Sequence, residues 1–200
     1  MNELIANLAE KLGVTPKALI ITVIFFVAAF AVLWIKMTLD EKKGIDSKEK
    51  EEIRKIIGNL VPDGVQYTAA YAHSTEYQGR IRYYHYYAVG FRADQPDHIW
   101  VIPIGVEGDR IVYTEPVRAS AENLEYVGGN SSLLLLKFPG KRNNCIQLSV
   151  SASNTRLGKE CRVNIQQPEE SKAFDSFAEA FQTQVNAALG VDKKGRALRA

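Results

Sequence analysis

Cysteine is nearly absent from this chain of 200 residues. The two present, Cys145 and Cys161, are too few for a disulfide framework or a four-thiolate zinc site. Charge of one sign is missing too: 25 basic against 23 acidic residues leave only +2, too little to point to nucleic acid. With 46% hydrophobic and 24% charged residues the composition excludes collagen-like and wholly disordered chains. Patterns that carry chemistry are also lacking. There is no P-loop, no G-x-S-x-G, no H-E-x-x-H, no C-x-x-C and no glycine-rich dinucleotide turn. The chain reads as non-enzymatic, without metal or cofactor, and the sequence names neither substrate nor reaction.

What stands out is one long apolar run. Ala18 to Ile35 reads ALIITVIFFVAAFAVLWI, with Thr22 its one polar residue. A helix of that length spans about 27 Å, close to the ~30 Å hydrocarbon core. Thr15 suits an N-cap and Pro16 a first helical position. Lys17 and Lys36 bracket the run and can snorkel, and Trp34 suits the headgroup level. The reading is a transmembrane helix over 18–36, contacting the lipid bilayer, with Lys17, Trp34 and Lys36 at the interfaces. Two other readings stay open. One is a cleaved leader, since Ala29-Phe30-Ala31 has the A-x-A form although apolar residues continue past it. The other is a buried core helix.

Flanking charge orients the span. Lys11 and Lys17 precede it, whereas Lys36, Lys42, Lys43, Lys48, Lys50, Arg54 and Lys55 follow. That bias places the C-terminal side in the cytoplasm. The expectation is a single-pass protein of the cell membrane with a cytoplasmic C-terminal domain. Ahead of the span, residues 1–17 carry a stripe of Leu4, Ile5, Leu8 and Leu12 stopped by Gly13. It fits either a short interfacial helix or a lightly ordered lead-in.

Residues 37–63 read as a charged juxtamembrane linker and a helix opened by Ser47, with Ile53, Ile56, Ile57 and Leu60 as its stripe. Pro62-Asp63-Gly64 ends that helix. The period then changes to two. Strands are predicted over 65–71, 80–92, 98–104, 110–114, 124–127 and 132–138, followed by a last pair, 144–151 with 159–165. Gln167-Pro168 opens a final helix whose Phe174, Phe177, Phe181 and Val185 fall on one face, and Gly190 stops it. Residues 191–200 read as a basic disordered tail. The fold class is α+β: seven to eight mainly antiparallel strands capped by an amphipathic helix.

That element order, over residues 64–190, resembles the pleckstrin-homology-like fold. The resemblance implies two near-orthogonal sheets in a partly open barrel, with the helix plugging one end. Membrane-attached versions occur in bacteria. The tryptophan usual in the family's last helix is replaced here by Phe174, Phe177 and Phe181. Only Arg80 and Arg82 follow the first loop, where some members grip phosphoinositides, so the resemblance carries the fold and not that lipid specificity.

One strand face offers a candidate site. Arg80, Arg82, Tyr84, Tyr86 and Arg92 alternate with Ile81, Tyr83, Tyr87, Val89 and Phe91. It suits a ligand or partner surface, or a solvated strand face with cross-strand tyrosine pairs. Single-stranded nucleic acid would use such rings and guanidinium groups, but residues 37–190 hold slightly more acidic than basic side chains, so no nucleic acid is expected. The histidines are His73, His85 and His98. If the first hairpin turns over 74–79, His73 lies beside Arg80 and His85 about 16 Å away, too far for a shared metal. Cys145 and Cys161, on paired strands, point to opposite faces, and free thiols fit a reducing compartment. The basic tail can touch anionic lipid.

Three functions follow. The first is a membrane-anchored binding or scaffolding module with a protein partner, to which the long aromatic strand could add an extended peptide. The second is an extracytoplasmic assembly component of an envelope or secretion apparatus. The third is an enzyme with an unrecognised site.

Overall fold

A computed structural model describes residues 15–45, 47–108, 110–130, 132–140, 144–157 and 161–198. The N-terminal stripe of Leu4, Ile5, Leu8 and Leu12 lies outside them. The chain divides into two compact units, Met1–Lys43 and Gly44–Ala200.

Helix α1 (Pro16–Ile45) begins at the expected proline. The Thr15 side-chain oxygen accepts from the Ala18 N–H at 3.3 Å. Lys17–Asp40 is long and apolar enough to cross a membrane: 24 residues with a mean hydropathy of 2.9 and nothing covering the apolar window. No part of that window is buried, unlike the helix of a protein core. The segment from residue 37, expected as linker, is helical to Ile45. The cause is local, because Met37, Leu39, Glu41, Lys42 and Lys43 are all good helix formers.

In the second unit, α2 (Lys48–Leu60) is capped as expected: the Ser47 hydroxyl accepts from the Lys50 N–H at 3.3 Å. Its Ile53, Ile56 and Ile57 are buried. A 3-10 turn (Gly64–Gln66) follows. Gly64 is required there, because a Cβ would run into the Ile57 carbonyl.

Ten antiparallel strands are described. A five-stranded sheet holds β1 (Thr68–Gln78), β2 (Ile81–Phe91), β3 (His98–Glu107) and β4 (Arg110–Tyr113) in that order, with β5 (Val117–Ser120) also on β3. A three-stranded sheet holds β6 (Tyr126–Asn130), β7 (Leu133–Lys137) and β8 (Cys145–Leu148). A separate ribbon holds β9 (Ser153–Leu157) and β10 (Cys161–Gln166). Helix α3 (Pro168–Leu189) completes the α+β unit and ends at Gly190, whose φ is 66°. Among the described residues no pairing closes the sheets into a barrel.

Several expectations change. Two short strands, β5 and β9, raise the number above eight. The pair 144–151 with 159–165 does not form: β8 pairs with β7, and β10 pairs with β9. The first strand starts at Thr68, three residues later than its pattern suggests, and runs to Gln78. The tail is a folded turn over 191–198. There the Asp192 carboxylate accepts from the Lys194 and Arg196 N–H groups, and Leu198 N–H bonds the Gly190 carbonyl. Those backbone donors and the Arg196 side chain, opposed by some burial, hold Asp192 at about 2.

The five-stranded sheet is buried on both faces over part of its length. On one side Ala70, Ala72, Val89, Phe91, Ile99 and Val101 meet α3 and the β6–β8 sheet. On the other, Tyr71, Ala88, Ile102 and Ile104 meet α2 and the β9–β10 ribbon. The far face of β2, expected to be solvated, is therefore core beyond Tyr86. Gly90 permits this, since a Cβ there would sit 3.0 Å from Ile57 Cγ2.

Two buried amides stitch α3 to strand edges. Gln167 accepts from the Tyr71 N–H at 2.9 Å and donates to the Tyr71 carbonyl at 2.8 Å. Asn186 does the same for Val127, at 2.8 Å and 2.7 Å. Each satisfies one residue's donor and acceptor as a neighbouring strand would. Asn186→Leu leaves the Val127 N–H unpaired away from water, while the carbonyl keeps Gln182 Nε2 at 3.3 Å, and should cost about 1–3 kcal/mol for the donor left unpaired. Amide exchange at Val127 should speed up accordingly, while exchange at Tyr71 stays unchanged.

Candidate functional site

Beyond Tyr86, towards the turn, the β1–β2 hairpin leaves the two cores. Its register pairs Gln78 with Ile81, so the connection is Gly79-Arg80. Gly79 has φ 63° and Arg80 a negative φ, which suits a II′ hairpin turn. The turn is shorter than the 74–79 loop expected. Tyr77, Ile81, Tyr83 and Tyr84 are all exposed on this arm.

The five residues that share a face by alternation do not stay together. The Arg82 guanidinium donates to the Tyr84 hydroxyl at 3.0 Å and lies 4.9 Å from the centre of the Tyr77 ring. Those two form a patch with Tyr77, which the sequence did not single out. Arg80 sits in the exposed turn. Tyr86 is half-buried against the α2 core, stacked on Tyr71 with ring centres 6.1 Å apart. Arg92 lies ten residues from Arg82, roughly 33 Å along an extended strand. It donates to both Asp94 carboxylate oxygens and to Gln66.

The residues expected at the membrane interfaces, Lys17, Trp34 and Lys36, all lie on the first helix. Trp34 is exposed there, its ring centre 6.2 Å from that of Phe30, and Lys17 and Lys36 are exposed as well.

The histidines also move. His73 pairs with Tyr86 and Ser74 with His85. His73 and His85 are thus neighbours in register rather than far apart, but alternation turns them to opposite faces. Burial lowers the His73 pKa below the ordinary imidazole value. His98 belongs to a different arrangement, in which its Nδ1 meets Asp97 at 2.8 Å and its Nε2 meets the Tyr67 hydroxyl at 2.7 Å. That chain pins the 3-10 turn to the start of β3.

A cleft of about 360 Å³ opens between the arm and β8. Ser74, Glu76 and Tyr77 of β1, His85 and Tyr87 of β2, and Cys145 and Gln147 of β8 line it. His85 Nε2 lies 3.4 Å from Glu76 Oε2. Burial pushes the Tyr87 phenol up, against a hydrogen bond from Ser74. Cys145 is a free, exposed thiol. Its strand and that of Cys161 belong to different sheets, so the two do not face each other across one ladder. Among the described residues no group of three His, Cys, Asp or Glu side chains could hold a metal ion.

No family model, curated protein or solved structure matches the chain. The cleft's chemistry then rests on its own geometry: a slot with ring walls and, among the described residues, one carboxylate. Nothing local in the sequence announces it, because Cys145 and Gln147 come from about sixty residues beyond His85.

Proposed function

We propose that this chain is a single-pass protein of the cell membrane whose second unit is a pleckstrin-homology-like, non-catalytic module for recognising a protein partner on the cytoplasmic side. The observation that carries the reading is the uncovered apolar helix Lys17–Asp40. At about 1.5 Å per residue its length exceeds the ~30 Å hydrocarbon core. The excess of Lys and Arg after the span supports the orientation. A four-strand meander, a three-strand meander and a final helix that buries three phenylalanines support the family resemblance. The exposed rings and Arg82 on the hairpin arm support a partner surface rather than a catalytic pocket.

The span is tested by alkaline carbonate washing of membranes. The wild-type chain should stay in the pellet. Phe26→Asp with Val27→Asp places two carboxylates in mid-span at about 2.5–3.5 kcal/mol each, and should move the chain to the supernatant. A chain that washes off unaltered refutes the reading. Orientation is read by labelling Cys145 with a membrane-impermeant maleimide in a Cys161→Ser background. Labelling only after permeabilisation, without reductant, is expected. Labelling of intact cells would instead place the module outside, as an envelope-assembly component.

A further inference from the structure

The cleft marks an interrupted ladder. His73 and Ser149 exchange both backbone hydrogen bonds, at 3.0 Å and 2.9 Å, as an isolated antiparallel bridge between β1 and the end of β8. Continuing that register puts Thr75 opposite Gln147 and Tyr77 opposite Cys145. Alternate residues turn their N–H and C=O groups to the same edge. Thr75 and Tyr77 therefore face β8, and Gln147 and Cys145 face β1. Neither pair joins the ladder among the described residues, and the cleft opens beside them. Its lining agrees. It takes alternate residues of one hairpin face, Ser74 and Glu76 with His85 and Tyr87, and in addition Tyr77, whose backbone faces the β8 edge. The cleft lies beside the seam, between the β8 edge and the face of the hairpin that carries Ser74, Glu76, His85 and Tyr87.

Exposed edges are usually blunted by lysine, proline, bulges or very short strands. Other edges here carry such residues: Arg110 opens β4 and Pro116 precedes β5. The free edge of β2 carries Arg82. The two edges of the seam, Ser74–Gln78 and Cys145–Leu148, contain no lysine, arginine, proline or glycine.

We propose that this seam takes an extended peptide of a protein partner as an added strand, with a Lys or Arg side chain of that peptide against Glu76. It rests on the binding-module reading and moves the strand-addition site from the aromatic strand β2 to the β1–β8 seam. The four residues Thr75, Tyr77, Cys145 and Gln147 offer N–H and C=O groups from both sides. The inserted strand runs antiparallel to one edge and parallel to the other, and reunites the two sheets. Among the described residues Glu76 is the one carboxylate lining the slot, with its side chain 47% exposed, and so selects a basic residue.

The test uses the full chain in lipid nanodiscs and the synthetic peptide Thr-Val-Lys-Val-Thr-Val, blocked at both ends. Binding is read by fluorescence anisotropy, and the site by amide hydrogen exchange. Expected are saturable binding and at least tenfold slower exchange at Thr75, Tyr77, Cys145 and Gln147, with Val127 unchanged. The same peptide with proline at its fourth position should not bind, and replacing its lysine by glutamate should weaken binding at least fivefold. Tyr77→Cys, oxidised onto Cys145, should zip the seam and abolish binding, and reductant should restore it. Protection of those four amides in the free chain, absence of binding, or binding that protects other residues overturns the seam. Carbonate extraction is scored on the same preparation. A chain that stays membrane-bound yet fails the peptide test loses the seam and keeps its anchor, whereas one that washes out loses the anchored-module reading itself.

Discussion

Replacing Phe177 by alanine is expected to destabilise the second unit by about 3–5 kcal/mol, the usual cost of removing a buried aromatic ring. Phe177 is 1% exposed and sits at the centre of a ring cluster. Its ring centre lies 5.0 Å from that of Phe91 on β2, 5.3 Å from Phe181 and 6.3 Å from Phe174. The substitution removes three ring contacts, each worth about 0.5–1.5 kcal/mol beyond its area. It also opens a cavity between α3 and the sheet, which rigid strands on two sides cannot collapse into. Phe177→Leu keeps most of the volume and should cost markedly less. Urea unfolding of the detergent-solubilised chain, followed by near-ultraviolet circular dichroism, measures both. Equal losses for the two variants would show that the ring is not the keystone described.

Loss of Glu170 should be nearly as severe. Lys50 of α2 is buried, its Nζ 2.8 Å from Glu170 Oε1 and 3.0 Å from the Gln166 carbonyl. Arg54 reaches the same carboxylate at 3.2 Å from a more exposed position. Glu170→Ala leaves the Lys50 ammonium buried without a counter-charge, a change that typically costs about 3–5 kcal/mol. Lys50→Met is expected to cost less, because Glu170 keeps Arg54. Exchanging both for Met and Leu should recover most of the loss, since a well-packed apolar pair often matches a buried ion pair.

The same carboxylate gives the unit a pH dependence of known sign. Burial alone would raise the Glu170 pKa, but the hydrogen bond from Lys50, its own backbone N–H and the Lys50 charge outweigh burial and hold it below the ordinary 4.5. A carboxylate whose folded pKa is depressed stabilises the fold above its unfolded value, and that stability is lost as pH falls through the folded value. The difference in melting temperature between wild type and Glu170→Gln should therefore be largest near neutral pH and shrink below about pH 4.5. A difference that is flat from pH 7 to pH 3 would rule out the buried pair as its source.

Elements whose signal is local are legible in the amino-acid order alone. The apolar helix from residue 18, the Ser47 cap, the phenylalanine stripe of α3 and its stop at Gly190 follow from spacing within one or two turns. Most strands follow from alternation bounded by turn residues. Strand partners do not, because alternation says which way a side chain points and not which strand lies beside it. Hence proximity in the chain suggests β10 as the neighbour of β8, whereas β8 pairs with β7.

The candidate surface breaks up for a related reason. Arg80, Arg82, Tyr84, Tyr86 and Arg92 share a parity on one strand, yet α2 covers that face from Tyr86 onward and leaves only Arg82 and Tyr84 in a common patch. Chain order alone thus determined an apolar helix, a β-rich unit and a capping helix. Tertiary structure decided the two-sided core, the Lys50–Glu170 pair, the amide stitches of Gln167 and Asn186, and the open seam beside Cys145. Each of these joins residues dozens of positions apart. Their meeting is set by register, twist and burial, which no local pattern encodes.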